Sequence, residues 1–509
     1  MKRLSHKQSR RNSAKRKRRV AARHARAGHW TAQRQPMMSS GKIHYEVAAN
    51  VDAMSYGGIG AVHRLVGKLG LPQAIDERIK LLKVHLPYHE SDHVLNLAYN
   101  VLCGGTRLED IERLRHDTAY MNALGADLIP DPTTAGDFCR RFDEQRITEL
   151  MECINSVRPA LWSGRAKELM GPVTYVDADG TIAPTWGEQK EGMHISYKGI
   201  WGYAPLIISL ANTREVLYVV NRSGNAPSHL GAAEWIDRSI ALVAPHVERV
   251  CLRGDTDFSL TANFDRWARQ VDFLFGMDAH PTLVTRAQGL AESAWKCLQR
   301  KEKYTTLTPT TRERYQRNEK ERIVVEREYV NLRLNHEEVA EFSYRPGKCD
   351  RDYRVVALRK NISKMKGEAV LFDEIRYFFY ITTRTDLSAE EVVRCANQRC
   401  DQENVIEELK NGVNALRLPL YDLVSNWAYM VIAALAWNIK SWFAMMMHLK
   451  HDRQRYIAME FRRFLGTIIL IPCRVVRRAR TIVIRLIGYQ PTLDRLFSAW
   501  QTIERIRFG

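Results

Sequence analysis

The sequence predicts an α/β protein, a mixed β-sheet core interrupted by a β-rich insertion and flanked by helical regions. Three observations carry this reading. Residues 173–220 hold three successive runs rich in Val, Ile, Leu and Tyr (173-VTYVDADGTIAP, 203-YAPLIISLA and 215-EVLYVVN), followed by a helix pattern, 232-AAEWIDRSIALVA, and a fourth strand, 248-ERVCLRGDTDF. Residues 58–165 carry apolar positions at helical spacing. Strand-like runs then fill 277–385 before a strongly helical stretch at 386–412.

A chain of 509 residues exceeds what one compact core usually holds, so two to four domains are expected. The composition shifts divide it into a disordered basic tail (1–40), a helical domain (41–165) whose basic faces fit a DNA-binding module and whose pattern fits a plain helical bundle equally well, a first core part (166–276), a β-rich insertion (277–385), a second core part with a charged helix (386–450) and a basic C-terminal helical region (451–509). The net charge is +19, and the first 40 residues contain thirteen Lys/Arg and no Asp/Glu, which leaves only +6 for the rest. A solvated polycation of this kind points to nucleic acid, bound by neutralising phosphates and releasing counterions. No run approaches the roughly 18 apolar residues of a spanning helix; the longest, Trp427 to Trp437, is stopped by Asn438 and Lys440. The nine cysteines show no C-x-x-C pair and no signal peptide precedes them, so reduced thiols in a cytoplasmic, nucleoid-associated protein are expected, with no membrane partner.

In the helical region, 91-SDHVLNLAYNVLCGG opens at a Ser or Asp cap and ends at the glycines. Pro132-Thr133-Thr134 then caps 135-AGDFCRRFDEQRITELMECINSV. After the first sheet strands, a short helix (262-ANFDRWARQ) and a strand (272-DFLFGMD) extend the core. The insertion holds a basic polar stretch, 300-RKEKYTTLTPTTRERYQRNEKER, and the strand runs 323-IVVEREYVNLRL, 353-YRVVALRK and 376-RYFFYITT. Ser388 with Glu391 three residues later forms a capping box opening the 386–412 helix.

The chemistry sits in the carboxylates. Asp177 and Asp179 lie two apart on a strand and share one face of the sheet. Asp255 and Asp257 lie where another strand gives way to a loop, a common place for chemistry in α/β sheets. On a helix advancing about 100° per residue, Arg399 lies roughly 40° from Glu403, and Lys410 returns to within roughly 20° of it, so the three form one charged stripe. A solvated face with i,i+4 pairs is the plain alternative. Asp179, Asp255 and Glu403 can supply oxygen ligands to a hard divalent ion, while Arg399 and Lys410 can hold phosphates. Two Mg²⁺ ions on such carboxylates would drive in-line phosphodiester displacement.

These residues carry a resemblance. Arg399, Glu403 and Lys410 match most of the Y-x-x-R-x-x-x-E-x6-K signature of DDE transposases of the insertion sequence four superfamily. The ordered set 176-VDADGT, 222-RSGN, 253-RGDTDF and 402-QENVIEELKNG resembles its thirteen-eighty branch from about residue 45 to the C-terminus. The resemblance implies an RNase H-like core with the insertion placed before the last catalytic helix. It implies catalytic metal ligands Asp179, Asp255 and Glu403, with Asp177 the rival for the first. It further implies Mg²⁺ as two ions, with Mn²⁺ able to substitute, and a dimer assembled on two DNA ends. The implied activity is binding of terminal inverted repeats, cleavage, and joining of 3′-hydroxyls to target DNA. A non-catalytic DNA-binding derivative and a nuclease that cleaves without joining are the alternatives. One position departs from the signature: Ala396 stands where the tyrosine belongs, which touches the handling of DNA ends more than metal binding.

Overall fold

The computed structural model describes residues 6–27, 43–46, 51–187, 189–299, 330–366, 369–478, 481–488 and 491–507. A nine-stranded mixed sheet organises them. β1 (Thr174–Gly180) pairs antiparallel with β2 (Leu206–Leu210), which pairs antiparallel with the edge strand β3 (Glu215–Val220). On the other side of β1, β4 (Val250–Gly254) and β5 (Asp272–Met277) run parallel to it. Parallel neighbours need a crossover, and the helix α1 (Ala232–Val243) supplies it between β3 and β4. Trp235, Ile236, Ile240 and Val243 of α1 are buried in the core.

The expected insertion does not form a sheet of its own. β6 (Lys296–Cys297), β7 (Val330–Tyr344), β8 (Tyr353–Lys366) and β9 (Ala369–Thr382) extend the same sheet, giving the order β6-β7-β8-β9-β5-β4-β1-β2-β3. β9 joins it to the core antiparallel, with Phe379 opposite Met277 and Ile381 opposite Phe275. This covers the row of unpaired backbone groups that β5 would otherwise expose at an edge. The basic stretch beginning at residue 300 lies outside the described residues. α2 (Ala389–Asn397) covers this part of the sheet, where Val392, Val393 and Cys395 pack with Cys251, Leu274, Val356 and Leu358. The capping box is present: Ser388 Oγ accepts from Glu391 N at 3.2 Å, and Glu391 Oε2 accepts from Ser388 N at 2.9 Å.

The other edge of the sheet is closed by a long helix, Leu423–Met445, buried along nearly its whole length. The apolar helix expected near 427 to 447 is this one, and Asn438 and Lys440, which interrupt the apolar run, lie buried within it. Asn438 lies against β3, where Oδ1 accepts from Val216 N at 2.8 Å and Nδ2 donates to Val216 O at 2.9 Å. The Trp427 and Trp437 indoles donate to Val219 O at 2.5 Å and Arg214 O at 2.6 Å. These side chains satisfy the edge-strand backbone that would otherwise invite pairing. Lys440 donates to Ile457 O at 2.6 Å, and burial pushes its pKa well down. Nothing among the described residues is long and apolar enough to cross a membrane as a helix.

The helices Glu90–Leu102, Pro132–Cys139 and Glu144–Ser156 pack around this same long helix, so the helical region and the sheet share one hydrophobic core. A buried polar knot ties them. Arg158 donates to Glu215 Oε1 at 2.5 Å and to Val216 O at 2.6 Å, while Trp162, Thr213 and Trp442 also donate to the Glu215 carboxylate. The cap at the 130 turn is Asp131, with Pro132 in the first turn, and a second cap, Asp143, restarts the chain as a separate helix.

The termini carry two elements that the sequence reading did not name. Much of the tail expected to be disordered forms the helix His6–Ala27, which follows from its Ala, Arg, Lys and Gln content, all strong helix formers. Arg16 donates to the carbonyls of Leu486 and Gly488 at 3.0 and 3.3 Å. The C-terminal region expected to be helical contains a hairpin, Cys473–Arg478 with Thr481–Leu486, followed by the helix Leu493–Arg505. Its β-branched residues, Val475, Val476, Ile482, Val483 and Ile484, favour a pleated surface. All nine cysteines are free, and seven are buried.

Candidate active site

The register of β1 against β4 builds the site. Asp177 faces Arg253 across the parallel pair, so two residues further along, where side chains return to the same face, Asp179 and Asp255 leave adjacent strand ends side by side. Asp255 stands just past β4 in an extended conformation and accepts from Asp257 N at 3.0 Å, which caps the turn Thr256–Phe258. Gly276 makes room for this loop: a Cβ there would lie 3.1 Å from Thr256 N. Asp257 itself is exposed.

Asp177, the rival first ligand, is committed elsewhere. Arg253 Nε and Nη2 donate to its two carboxylate oxygens at 2.7 and 2.8 Å, and both side chains are buried. Burial lowers the pKa of Arg253, but Asp177 outweighs it and raises the net value. Arg253 also donates to Cys395 O at 3.0 Å and lies over the Tyr175 ring at 4.3 Å. The pair therefore fixes β1, β4 and α2 to one another beneath the site.

Asp179 is different. Burial, opposed by Arg399 and reinforced by Asp255, pushes its pKa up to about 6. Burial also raises Asp255, against Arg399 and with further repulsion from Asp257 and Asp278. Two half-desolvated carboxylates thus repel each other beside Arg399, whose Nη1 donates to Asp179 Oδ2 at 2.8 Å. Burial lowers the Arg399 pKa, and Asp179 and Asp255 more than restore it.

The helix expected to run from 386 to 412 is three pieces. α2 ends at Asn397, Arg399 sits in the turn that precedes α3 (Cys400–Glu407), and Glu408–Gly412 forms a π turn. The single-helix angles therefore do not hold, because the break and the wider turn each shift the register. What fixes α3 is Gln402, a residue the charge pattern passes over. It is buried; its Nε2 donates to Ile207 O at 3.2 Å and its Oε1 accepts from the Ser209 hydroxyl. Ile207 and Ser209 are the strand partners of Asp179 and Asp177, so Gln402 registers α3 against the carboxylate-bearing strand. Val405, Ile406 and Leu409 complete the packing, and Glu403 and Glu407 remain exposed. Lys410, in the π turn, is half buried; desolvation lowers its pKa, Lys198 lowers it further, and Glu407 and Asp179 oppose this.

The structure thus groups Asp179, Asp255 and Arg399, with Lys410 within electrostatic reach of Asp179. It places Glu403 on the adjoining helix, but Asp179, Asp255 and Glu403 do not bring ligand atoms within 4.8 Å of one another among the described residues. Ala396, at the signature tyrosine position, packs against the apolar cluster beneath the sheet. Arg222 of 222-RSGN is buried and donates to the carbonyls of Ala204, Ser228 and Leu230, shaping the loop that follows β3.

Three residues beyond β1 the chain enters a small three-stranded sheet made of Ala183–Pro184, His194–Ile195 and Trp201–Tyr203. Lys190 ties it to Leu418 O at 2.6 Å and to Leu420 O, and Tyr203 donates to Glu191 O at 2.6 Å. Trp186 and Tyr197 stand 96% and 85% exposed on it. Sequence reasoning passed over these rings; their signal was aromatic residues, one of them beside Lys198, in a stretch without helical period.

The class defined so far is a protein with paired acidic strand ends, flanked by Arg and Lys, on a mixed sheet covered by helices. The family described as Transposase DDE domain group 1 matches residues 44–508, and the chain belongs to it. The solved structures similar to it include a piggyBac transposase synaptic complex with hairpin DNA, at a TM-score of 0.34 and 9% identity over 82% of this chain and 84% of that chain. No curated protein matches the sequence.

Proposed function

We propose that this transposase is a cut-and-paste enzyme of the insertion sequence four superfamily, in its thirteen-eighty branch. It binds the terminal inverted repeats of its element, cleaves phosphodiester bonds and joins the 3′-hydroxyls to target DNA. The observation that carries this is the pairing of Asp179 with Asp255 at adjacent parallel strand ends, both with raised pKa and both facing Arg399. The strand order β3-β2-β1-β4-β5, antiparallel then parallel, supports an RNase H-like core.

The donor set fits a hard divalent cation: two carboxylates whose charge burial leaves under-compensated, and a third, Glu403, on an exposed helix face beside them. Asp179, Asp255 and Glu403 would hold two Mg²⁺ ions, with Mn²⁺ able to substitute. When bound, the metal supplies activation of a water or 3′-hydroxyl and stabilisation of the leaving oxygen. The protein's own part is positioning. Arg253 with Asp177 sets the strand register, Gln402 sets the helix, and Arg399 and Lys410 hold phosphates next to the carboxylates. The exposed Trp186 and Tyr197 rings offer stacking faces to unpaired bases. The basic tail adds charge along the duplex, and two copies act together on two ends.

The test uses a terminal-repeat duplex with a free 3′-hydroxyl, a supercoiled target and Mg²⁺. Covalent joining that Asp255→Ala abolishes is the expected result. Cleavage without joining would instead identify a nuclease, and binding with neither step a non-catalytic derivative.

A further inference from the structure

We propose a zinc site in the helical region, formed by His85, His89 and Glu90, independent of the carboxylates that face Arg399. The three lie in 85-HLPYHE, where a loop runs into the helix Glu90–Leu102. His85 Nε2 is 3.0 Å from Glu90 Oε2, the two imidazoles stack with centroids 4.4 Å apart at 11°, and one ligand atom from each residue lies within 4.8 Å of the others. Ligand atoms about 2.0–2.1 Å from a tetrahedral zinc ion sit roughly 3.3 Å apart. The 3.0 Å His85 to Glu90 spacing is already close to that, and the exposed His89 stands beside them as the third donor.

Glu90 is prepared for this role. It is fully buried, and its Oε1 accepts from Leu81 N at 2.9 Å and Leu82 N at 3.0 Å, which leaves Oε2 directed at the histidine. Backbone donors that orient a ligating carboxylate in this way are the usual support of a metal site. Two imidazoles and one carboxylate select zinc over the oxygen-only preference of Mg²⁺ or Ca²⁺.

The sequence here offers a different pairing, and the structure rejects it. Residues 89-HESDH have the H-E-x-x-H spacing in which two histidines one helical turn apart share zinc and the glutamate acts as a base. His93 instead turns into the core: it is 4% exposed and stacks on Phe138 at 4.4 Å and 8°, and burial pushes its pKa down to about 4. The second imidazole comes from His85, across the loop, and Glu90 becomes a ligand. A metal there would clamp the 79–89 loop to the start of the helix.

The test strips the full chain with chelator and titrates Zn²⁺ alone, reading stoichiometry, affinity and thermal midpoint, then repeats this with Co²⁺ and its visible spectrum. The other carboxylates can also take zinc, so wild type is compared with Asp255→Ala and with His85→Ala/His89→Ala. The double histidine variant should lose one equivalent of tight zinc, the zinc-dependent rise in midpoint and the four-coordinate Co²⁺ bands, while Asp255→Ala keeps all three. Single His85→Ala should weaken zinc by more than the roughly 10–100-fold that loss of an outer-shell partner costs. Zinc retained undiminished by the double variant overturns the site. So does a wild type that takes up no tight zinc, or zinc lost with His93→Phe but kept with His85→Ala.

Discussion

Asp179 should destabilise the metal-free protein at neutral pH, and replacing it with Asn should make the fold more stable. The folded-state pKa is about 6 against an ordinary 3.8, and the side chain is only 13% exposed. A shift of about two units at 1.36 kcal/mol each makes the ionised form about 3 kcal/mol less favourable in the fold than in the open chain. Because the folded pKa is raised, the folded state holds more protons than the unfolded one between roughly pH 4 and pH 6, and stability falls as pH rises through that window. Asp179→Asn removes the charge and with it this slope. The assay is urea unfolding followed by tryptophan fluorescence, at several pH values, without metal and with Mg²⁺. The variant should exceed wild type by up to about 3 kcal/mol at pH 7, converge on it near pH 4, and gain nothing from Mg²⁺, whereas wild type gains. A variant less stable than wild type at pH 7, by a margin unchanged at pH 4, would show that the Arg399 pair holds the fold together and that no electrostatic strain is stored there.

Other expectations concern parts of the structure away from that carboxylate. Gln402→Ala removes the two bonds that register α3 on β2 and leaves the buried Ser209 hydroxyl without this partner, so it should cost about 1–3 kcal/mol in urea unfolding and depress DNA cleavage more than DNA binding. Glu215→Ala strands the buried Arg158 and should destabilise by about 3–5 kcal/mol, read from the same unfolding midpoint. Deleting residues 1–40 should weaken binding to all DNA sequences alike and lower the log–log salt slope by about 0.9 for each phosphate that the tail neutralises; an unchanged slope would mean the tail does not touch DNA.

The carboxylate pair at the strand ends was legible because period-two alternation and a strand-to-loop transition are local signals, and Asp179 and Asp255 carry both. What separates Asp177 from Asp179 is not local. Both share a face, and only the partner distinguishes them: Asp177 is held by the buried cross-strand Arg253, and Asp179 by Arg399 from the turn before α3. The charged helix was recognised by its residue types, but its break at Gln398–Arg399 and its π turn follow from packing, with Gln402 and Leu409 drawn onto the sheet. The long apolar helix was legible from its run of apolar residues, but the burial of Asn438 within it was not, because that depends on an edge strand whose backbone takes up its amide. The insertion strands were legible as strands, whereas their union with the core sheet depends on which edge β5 leaves open.

The proposed role of Glu403, holding a divalent ion together with the two aspartates, is tested by one comparison. Mg²⁺-dependent nicking of a terminal-repeat duplex is measured for Glu403→Gln and for Glu407→Gln, two exposed residues one turn apart on α3. Both substitutions keep size and helix propensity and remove one charge, so only a ligand role distinguishes them. Nicking should fall by orders of magnitude in Glu403→Gln, with folding intact, and stay near normal in Glu407→Gln. Equal, near-normal rates in the two variants would contradict it.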